Sequence, residues 1–331
     1  MHLAADPQLS LAGLLRRASI RITEGTADEL TLVLPGREVL RVMVRTESQS
    51  PSRSRIALAV AGARDVRVLY VASRPGSALR EAAETGQVDL VATEPELVII
   101  QGRNRLPGRA PGSAQGQNRR ARWGHWAVDR VLLLAEMPMT QRALADAAGI
   151  SQQAVSKILR VHPDAIAAAD GWAVESAADL LDRWAQEYPG AGGIESDWYH
   201  LDPVTAQARL VVAVADSLSV DVLATGDIAA DTYAPWRLPA TATLYTAEWI
   251  DLSVADFVPA EPGESTLTVR IPRDPTIWPV ARWYSSQSEG DGGSLADPVL
   301  AYWDLLRAPG ADAAEAASML RQKIVEGRPR G

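Results

Sequence analysis

The stretch His125–Val161, HWAVDRVLLLAEMPMTQRALADAAGISQQAVSKILRV, is the one on which the reading of this chain turns. Val128, Val131, Leu132 and Leu133 give its first third a buried side at helical spacing. Thr140 then offers a hydroxyl to the orphan amides of a second helix, in which Leu144 and Ala145 face inward while Ala147 and Ala148 permit a close helix crossing. Gly149 ends that helix, because glycine accepts the positive φ of a sharp exit. Ile150 plugs the turn, and Ser151 caps a third helix that buries Val155, Ile158 and Leu159. Three helices with such a turn between the second and third predict a helix-turn-helix.

The other side of the third helix carries Ser151, Gln152, Gln153, Ser156, Lys157 and Arg160, and no acidic residue falls between Ser151 and Arg160. A helix dressed in this way suits the major groove, with glutamines and serines reaching base edges and the cations reaching phosphates or guanine. Thr140, at the start of the second helix, joins the candidate DNA-binding set, and Arg119, Arg120, Arg122 and Arg142 are candidate phosphate contacts. The competing reading is an ordinary three-helix packing unit whose polar face serves solubility.

Outward from this stretch, 331 residues suffice for two or three domains with their own cores. A hydrophobic share of 47% against 22% charged residues fits a soluble globular chain, and the absence of cysteine excludes a disulfide scaffold and a thiolate metal cluster. The N-terminus lacks a basic region followed by an apolar core, and no segment has the apolar length to span a bilayer, so a cytoplasmic location is expected. A net charge of -8 argues against nonspecific polyanion binding. The distribution is more telling: between residues 103 and 162 there are ten basic and three acidic side chains, so positive charge gathers where phosphate contacts are needed.

Before the linker, the pattern predicts a helix over 9–18, strands over 30–34 and 39–44, a segment over 52–62 that is ambiguous between helix and strand but fits an exposed helix if a central strand follows, that strand over 66–72, a helix over 75–85 and strands over 88–91 and 97–101. This is a small mixed α/β domain, residues 1–102. Residues 103–122 read as a basic flexible linker, and 123–176 as a winged helix-turn-helix domain with a hairpin whose tip is Asp170-Gly171. From 177 to 331 the chain reads as a third, α/β domain. It begins with a helix over 177–188, whose Leu180, Leu181 and Trp184 share a face. Helices over 203–217, 226–233, 298–306 and 312–325 follow, with strands over 220–223, 243–249 and 266–271. Eight of the ten tryptophans lie beyond the third helix, as in a domain packed on large aromatic anchors.

Taken together, Met139–Leu159, Leu180-Leu181-Asp182-Arg183-Trp184, Ala224-Thr225-Gly226-Asp227-Ile228-Ala229-Ala230 and Asp297–Leu320 resemble the AbiEi-like family, the antitoxins of type IV toxin-antitoxin systems and related bacterial transcriptional regulators. The resemblance covers roughly the last two thirds of the chain. It implies promoter binding and repression, and for some members neutralisation of a nucleotidyltransferase-like toxin encoded nearby. Residues 1–102 look like a degenerate restriction-endonuclease-like domain. In active members of that fold an acidic residue and a Glu-x-Lys strand hold Mg2+. Here Asp28 or Glu29 matches the first position, but the strand runs Arg41-Val42-Met43-Val44-Arg45, with Met43 in place of a carboxylate and Arg45 in place of the lysine; Glu47 is displaced further along, and Asp89 reads as a solvated or capping carboxylate.

The expectation from sequence is therefore an α/β multidomain, sequence-specific duplex-DNA-binding transcriptional regulator, a repressor that reads an inverted repeat as a homodimer. The alternatives are a type IV antitoxin with promoter autoregulation and a metal-dependent nuclease. Neither cofactor nor metal ligands nor catalytic residues are expected, because His2, His125, His162 and His200 show no metal-ligand spacing.

Overall fold

In the computed structural model, the described residues are 11–46, 50–63, 66–106, 122–261, 263–287, 294–308, 310 and 312–327. The chain is a multidomain α/β protein, with three sheets among the described residues.

The first layer starts with α1 (Leu11–Arg17), whose Leu11, Leu14 and Leu15 point inward at spacings of three and four. It continues through β1 (Arg21–Gly25), β2 (Glu29–Val33), β3 (Val39–Thr46), α2 (Arg53–Gly62), β4 (Arg67–Ala72), α3 (Ser77–Glu84), β5 (Asp89–Thr93), β6 (Glu96–Ile100) and β7 (Arg103–Asn104). The seven strands lie in sequence order. The β3–β4 and β4–β5 pairs are parallel, with α2 and α3 as their crossovers, and the other neighbours are antiparallel. The central strands read Arg-Val-Leu-Tyr-Val-Ala and Asp-Leu-Val-Ala-Thr and are buried on both faces, as parallel strands covered by helices must be. One face packs under α1, the other under α2 and α3.

Next come α4 (Trp123–Leu134), α5 (Gln141–Ala148), α6 (Gln152–Leu159) and the hairpin β8 (Ala165–Ala168) and β9 (Gly171–Val174). The hydroxyls of Thr140 and Ser151 accept hydrogen bonds from the amides of Ala143 and Ala154, each 3.2 Å long, and so cap α5 and α6. Gly149 takes φ 67°, and a Cβ there would stand 2.5 Å from Cγ of Pro279. Gly171, at φ 150°, lets the hairpin tip approach the Met139 carbonyl, and Met139 and Trp172 exchange backbone hydrogen bonds of 2.9 and 2.8 Å that bind the hairpin to the start of α5.

The remainder comprises α7 (Ala177–Glu187), β10 (Ile194–Tyr199), α8 (Val204–Leu218), β11 (Val222–Thr225), α9 (Gly226–Tyr233), β12 (Ala242–Thr246), a 3-10 turn at Leu252–Ala255, β13 (Val258–Pro259), β14 (Leu267–Ile271), α10 (Ile277–Ser285), α11 (Pro298–Leu305) and α12 (Ala313–Val325). Its sheet runs β11-β12-β14-β10-β13, with β12 and β14 parallel. β1, β7, β10, β13 and α10 are not anticipated from the sequence; β7 opens the stretch read as a linker, of which residues 107–121 lie outside the described residues.

The three layers are not separate bodies. A single core joins Val128, Val131 and Leu132 of α4, Leu144 of α5 and Val155 of α6 to Trp184 of α7, Leu300 of α11 and Leu320 of α12. Ile194 and Ile271 of the C-terminal sheet close the core beneath α1, and the Trp249 amide donates to the Gly25 carbonyl at 2.7 Å. Burial of side chains of this size contributes about 1.5–3 kcal/mol each. No helix among the described residues is long and apolar enough to cross a membrane.

Candidate functional site

Two arrangements on α4–α6 and the hairpin bear on function. The first is the outer face of α6. Gln152, Ser156 and Arg160 follow one another at four-residue spacing, and Gln153 and Lys157 form the adjoining row. Ser151, Gln152, Gln153, Lys157 and Arg160 are exposed, while Ser156 is half-buried at the edge of the packed side. Val155 and Leu159 are fully buried, but Ile158 is only half-buried, since it lies at the rim where α6 leaves its neighbours. Thr140 is exposed with its oxygen engaged in the cap, and Arg142 is exposed on the first turn of α5. Arg122, exposed, precedes α4, whereas Arg119 and Arg120 lie outside the described residues. The structure thus brings together the α6 residues on one accessible face.

The second arrangement was missed from the sequence. His125 and Asp129 stand one turn apart on α4, and His162 lies three residues beyond α6. Nε2 of His162 is 2.7 Å from Oδ1 of Asp129, Nδ1 of His125 is 3.8 Å from the same oxygen, and all three donor atoms lie within 4.8 Å of one another. The His162 imidazole is fully buried and Asp129 almost so, while His125 keeps a quarter of its side chain exposed. Nδ1 of His125 is itself buried and has no hydrogen-bond partner. The two separations straddle the roughly 3.3 Å edge of a tetrahedron with bonds of about 2.0–2.1 Å, the geometry of zinc bound by nitrogen and oxygen.

The expectation of a chain without metal ligands and without a catalytic role is corrected by this group. Two imidazoles and a carboxylate within ligand reach form a donor set able to coordinate a metal ion, as in a nuclease-like hydrolytic site. A search for histidines spaced against one another overlooks it, because one ligand is a carboxylate and the third arrives through the fold. The legible signal is His125-x-x-x-Asp129, one helical turn apart on α4.

Hydrogen bonds around the group fix its orientation. Nδ1 of His162 accepts from the amides of Asp164 at 3.1 Å and Ala165 at 3.0 Å, so it is the unprotonated nitrogen, and Nε2–H donates to Asp129. Arg183 of α7 pairs with Asp164, and that hydrogen bond raises the Arg183 pKa against the opposing effect of burial. The Trp126 ring stacks on His125, with centroids 6.0 Å apart.

The acidic candidates of the first layer do not assemble. Asp28 is largely exposed, and Glu29 is paired with Arg41 on the neighbouring strand. Glu29 stands opposite Met43, and Arg45 donates to the Met43 sulfur at 3.2 Å. Asp89 is fully buried rather than solvated: it accepts two 2.8 Å hydrogen bonds from Arg67 and one from the Gln101 amide. Glu47 lies outside the described residues.

The chain matches no family model, no curated protein and no solved structure.

Proposed function

We propose that this chain binds duplex DNA through α6, in a winged helix-turn-helix formed by α4, α5, α6 and the β8–β9 hairpin, and that two copies read an inverted repeat as a homodimeric regulator of transcription. The observation that carries the reading is the outer face of α6, where Gln152, Gln153, Lys157 and Arg160 are exposed and no acidic residue falls between Ser151 and Arg160. On this reading residues 123–176 are the DNA-binding unit, and 177–331 form the AbiEi-like region. The order of α1, three antiparallel strands, α2, β4, α3 and β5 supports a degenerate restriction-endonuclease-like domain over 1–102. Selection from a random duplex pool, followed by measurement of stoichiometry, tests the proposal. An inverted repeat bound by two chains is expected, and indifference to sequence at moderate salt rejects it. The AbiEi-like resemblance adds an antitoxin that binds its own promoter; failure of co-expression to relieve toxicity of a neighbouring gene product removes that part alone.

A second reading, a metal-dependent nuclease targeted by the same helix, is favoured by the His125–Asp129–His162 group. A divalent ion bound there supplies Lewis acidity towards a phosphate oxygen and lowers the pKa of water. Asp129 offers the anionic ligand, and the partial exposure of His125 marks the side from which a phosphate could approach. Incubation with plasmid in Mg2+, Mn2+ or Zn2+ tests it: cleavage abolished by His125→Ala is expected, and an intact plasmid under all three ions rejects it.

A further inference from the structure

His162 faces two tasks that compete for its ring. In the structure its Nδ1 is an acceptor for the amides of Asp164 and Ala165, the residues with which the hairpin begins, while its Nε2 holds a hydrogen directed at Asp129. A metal drawn to His125 Nδ1 and Asp129 needs the Nε2 lone pair. Neutral imidazole supplies that lone pair only by carrying its proton on Nδ1 instead. The ring then gains a metal bond at Nε2, its hydrogen moves from Nε2 to Nδ1, and the proton count is unchanged. Nδ1–H now confronts two amide N–H groups, so three donors meet without an acceptor and both hydrogen bonds to the hairpin are lost.

We infer that His125, Asp129 and His162 form a site for a divalent transition metal of the zinc class, and that its occupation releases the start of the β8–β9 hairpin. The donor set, two imidazoles and one carboxylate, suits zinc, cobalt or nickel rather than Mg2+ or Ca2+, which take oxygen ligands. The orphaned Nδ1 of His125 is the independent mark of a missing partner at this place. Three protein ligands leave a fourth position, on the exposed side of His125, for water. What stays in place is equally defined: Ser151 still caps α6, β8 keeps its ladder with β9, the Asp164 carbonyl and carboxylate keep the Glu175 amide and Arg183, and the Met139–Trp172 exchange holds the far strand, so the release is confined to the amides of Asp164 and Ala165. The consequence for DNA rests on the proposed reading of α6. A hairpin loosened beside that helix loses its fixed place against the duplex, and binding weakens as the metal enters.

Co2+ is the probe, added to the full chain and to His125→Ala, which lacks a ligand but keeps every hydrogen bond of His162. One Co2+ per chain with a visible ligand-field absorption is expected, weakened at least about 100-fold in the variant, the upper end of what loss of a supporting partner costs. Hydrogen exchange at the Asp164 and Ala165 amides should accelerate on saturation with Co2+ or Zn2+ in the native chain alone. No Co2+ binding, binding unaltered in His125→Ala, or amide protection unmoved by the bound metal would each overturn the inference. Binding to a selected duplex, measured with and without Zn2+, separates the two claims. Loosened amides in a chain that binds no duplex sink the DNA reading and leave the metal site standing; duplex binding by a chain that takes up no metal does the reverse.

Discussion

Nη1 of Arg130 lies 2.7 Å from Oδ2 of Asp297, and neither side chain is exposed to solvent. The bond joins α4 to the residue that caps α11, since Asp297 also accepts from the Leu300 amide. Nη2 of Arg130 donates to Thr276 at 2.9 Å, with Asp274 nearby. Burial opposes the charge on the guanidinium, but the Asp297 and Asp274 carboxylates outweigh it and hold the Arg130 pKa above its ordinary value. Removing one partner of such a buried pair strands the other. Arg130→Met should therefore cost about 3–5 kcal/mol of stability, read as a lowered urea midpoint; a midpoint within error of the native chain would contradict this account.

Gln153→Ala and Lys157→Ala separate base reading from phosphate contact on α6. The first should lower affinity for the selected duplex more than for random duplex, by about 1–3 kcal/mol. The second should weaken both alike and reduce the slope of log K against log salt by about 1. Equal losses on both duplexes for Gln153→Ala would remove its proposed contact with a base.

Gly149→Ala meets two obstacles at once: a φ of 67° that a side chain rarely adopts, and Pro279 of α10 at 2.5 Å from the added Cβ. A loss of more than about 1 kcal/mol is expected, together with weaker DNA binding, because the turn sets α6 against α5. Thermal unfolding and duplex titration of the same sample measure both.

Asp197 on β10 is held above the usual carboxylate range, chiefly by burial and then by neighbouring Glu195, although Thr268 donates a 3.0 Å hydrogen bond to it. The fold favours its protonated form, so the contribution of Asp197 to stability is fully present below the usual carboxylate range and is lost as pH rises through the elevated value. Asp197→Asn keeps an acceptor for Thr268 and removes the charge. The variant should melt above the native chain at pH 7, with the difference disappearing below about pH 4. An offset independent of pH would assign the effect to packing instead.

What the sequence disclosed follows from how local each signal is. Thr140, Gly149 and Ser151 act within three residues of themselves, so the caps and turn around α5 and α6 could be read directly. β10 could not, because Glu195-Ser196-Asp197 looks like a polar loop until Arg270 and Thr268 of the adjacent strand supply partners. Pro279 disguised α10, although proline is tolerated in a first helical turn. The metal-ligand group divides the same way: His125 and Asp129 are a local pair, but His162 reaches them only after α5 and α6 have doubled back. In the first layer the degenerate nuclease-like reading put Asp28 or Glu29 at the first acidic position, where the structure has a surface carboxylate at 28 and a carboxylate paired with Arg41 at 29.

The core shared by α4, α7, α11 and α12 makes α4 both the back of α6 and a wall of the C-terminal body, with Trp184 donating its indole hydrogen to the Trp126 carbonyl. A head built into its torso has no neck to bend. If two copies bind one operator as proposed, they act like a caliper set at assembly, the gap between their α6 helices fixed by how the bodies abut, so altered spacing between half-sites would be rejected rather than accommodated.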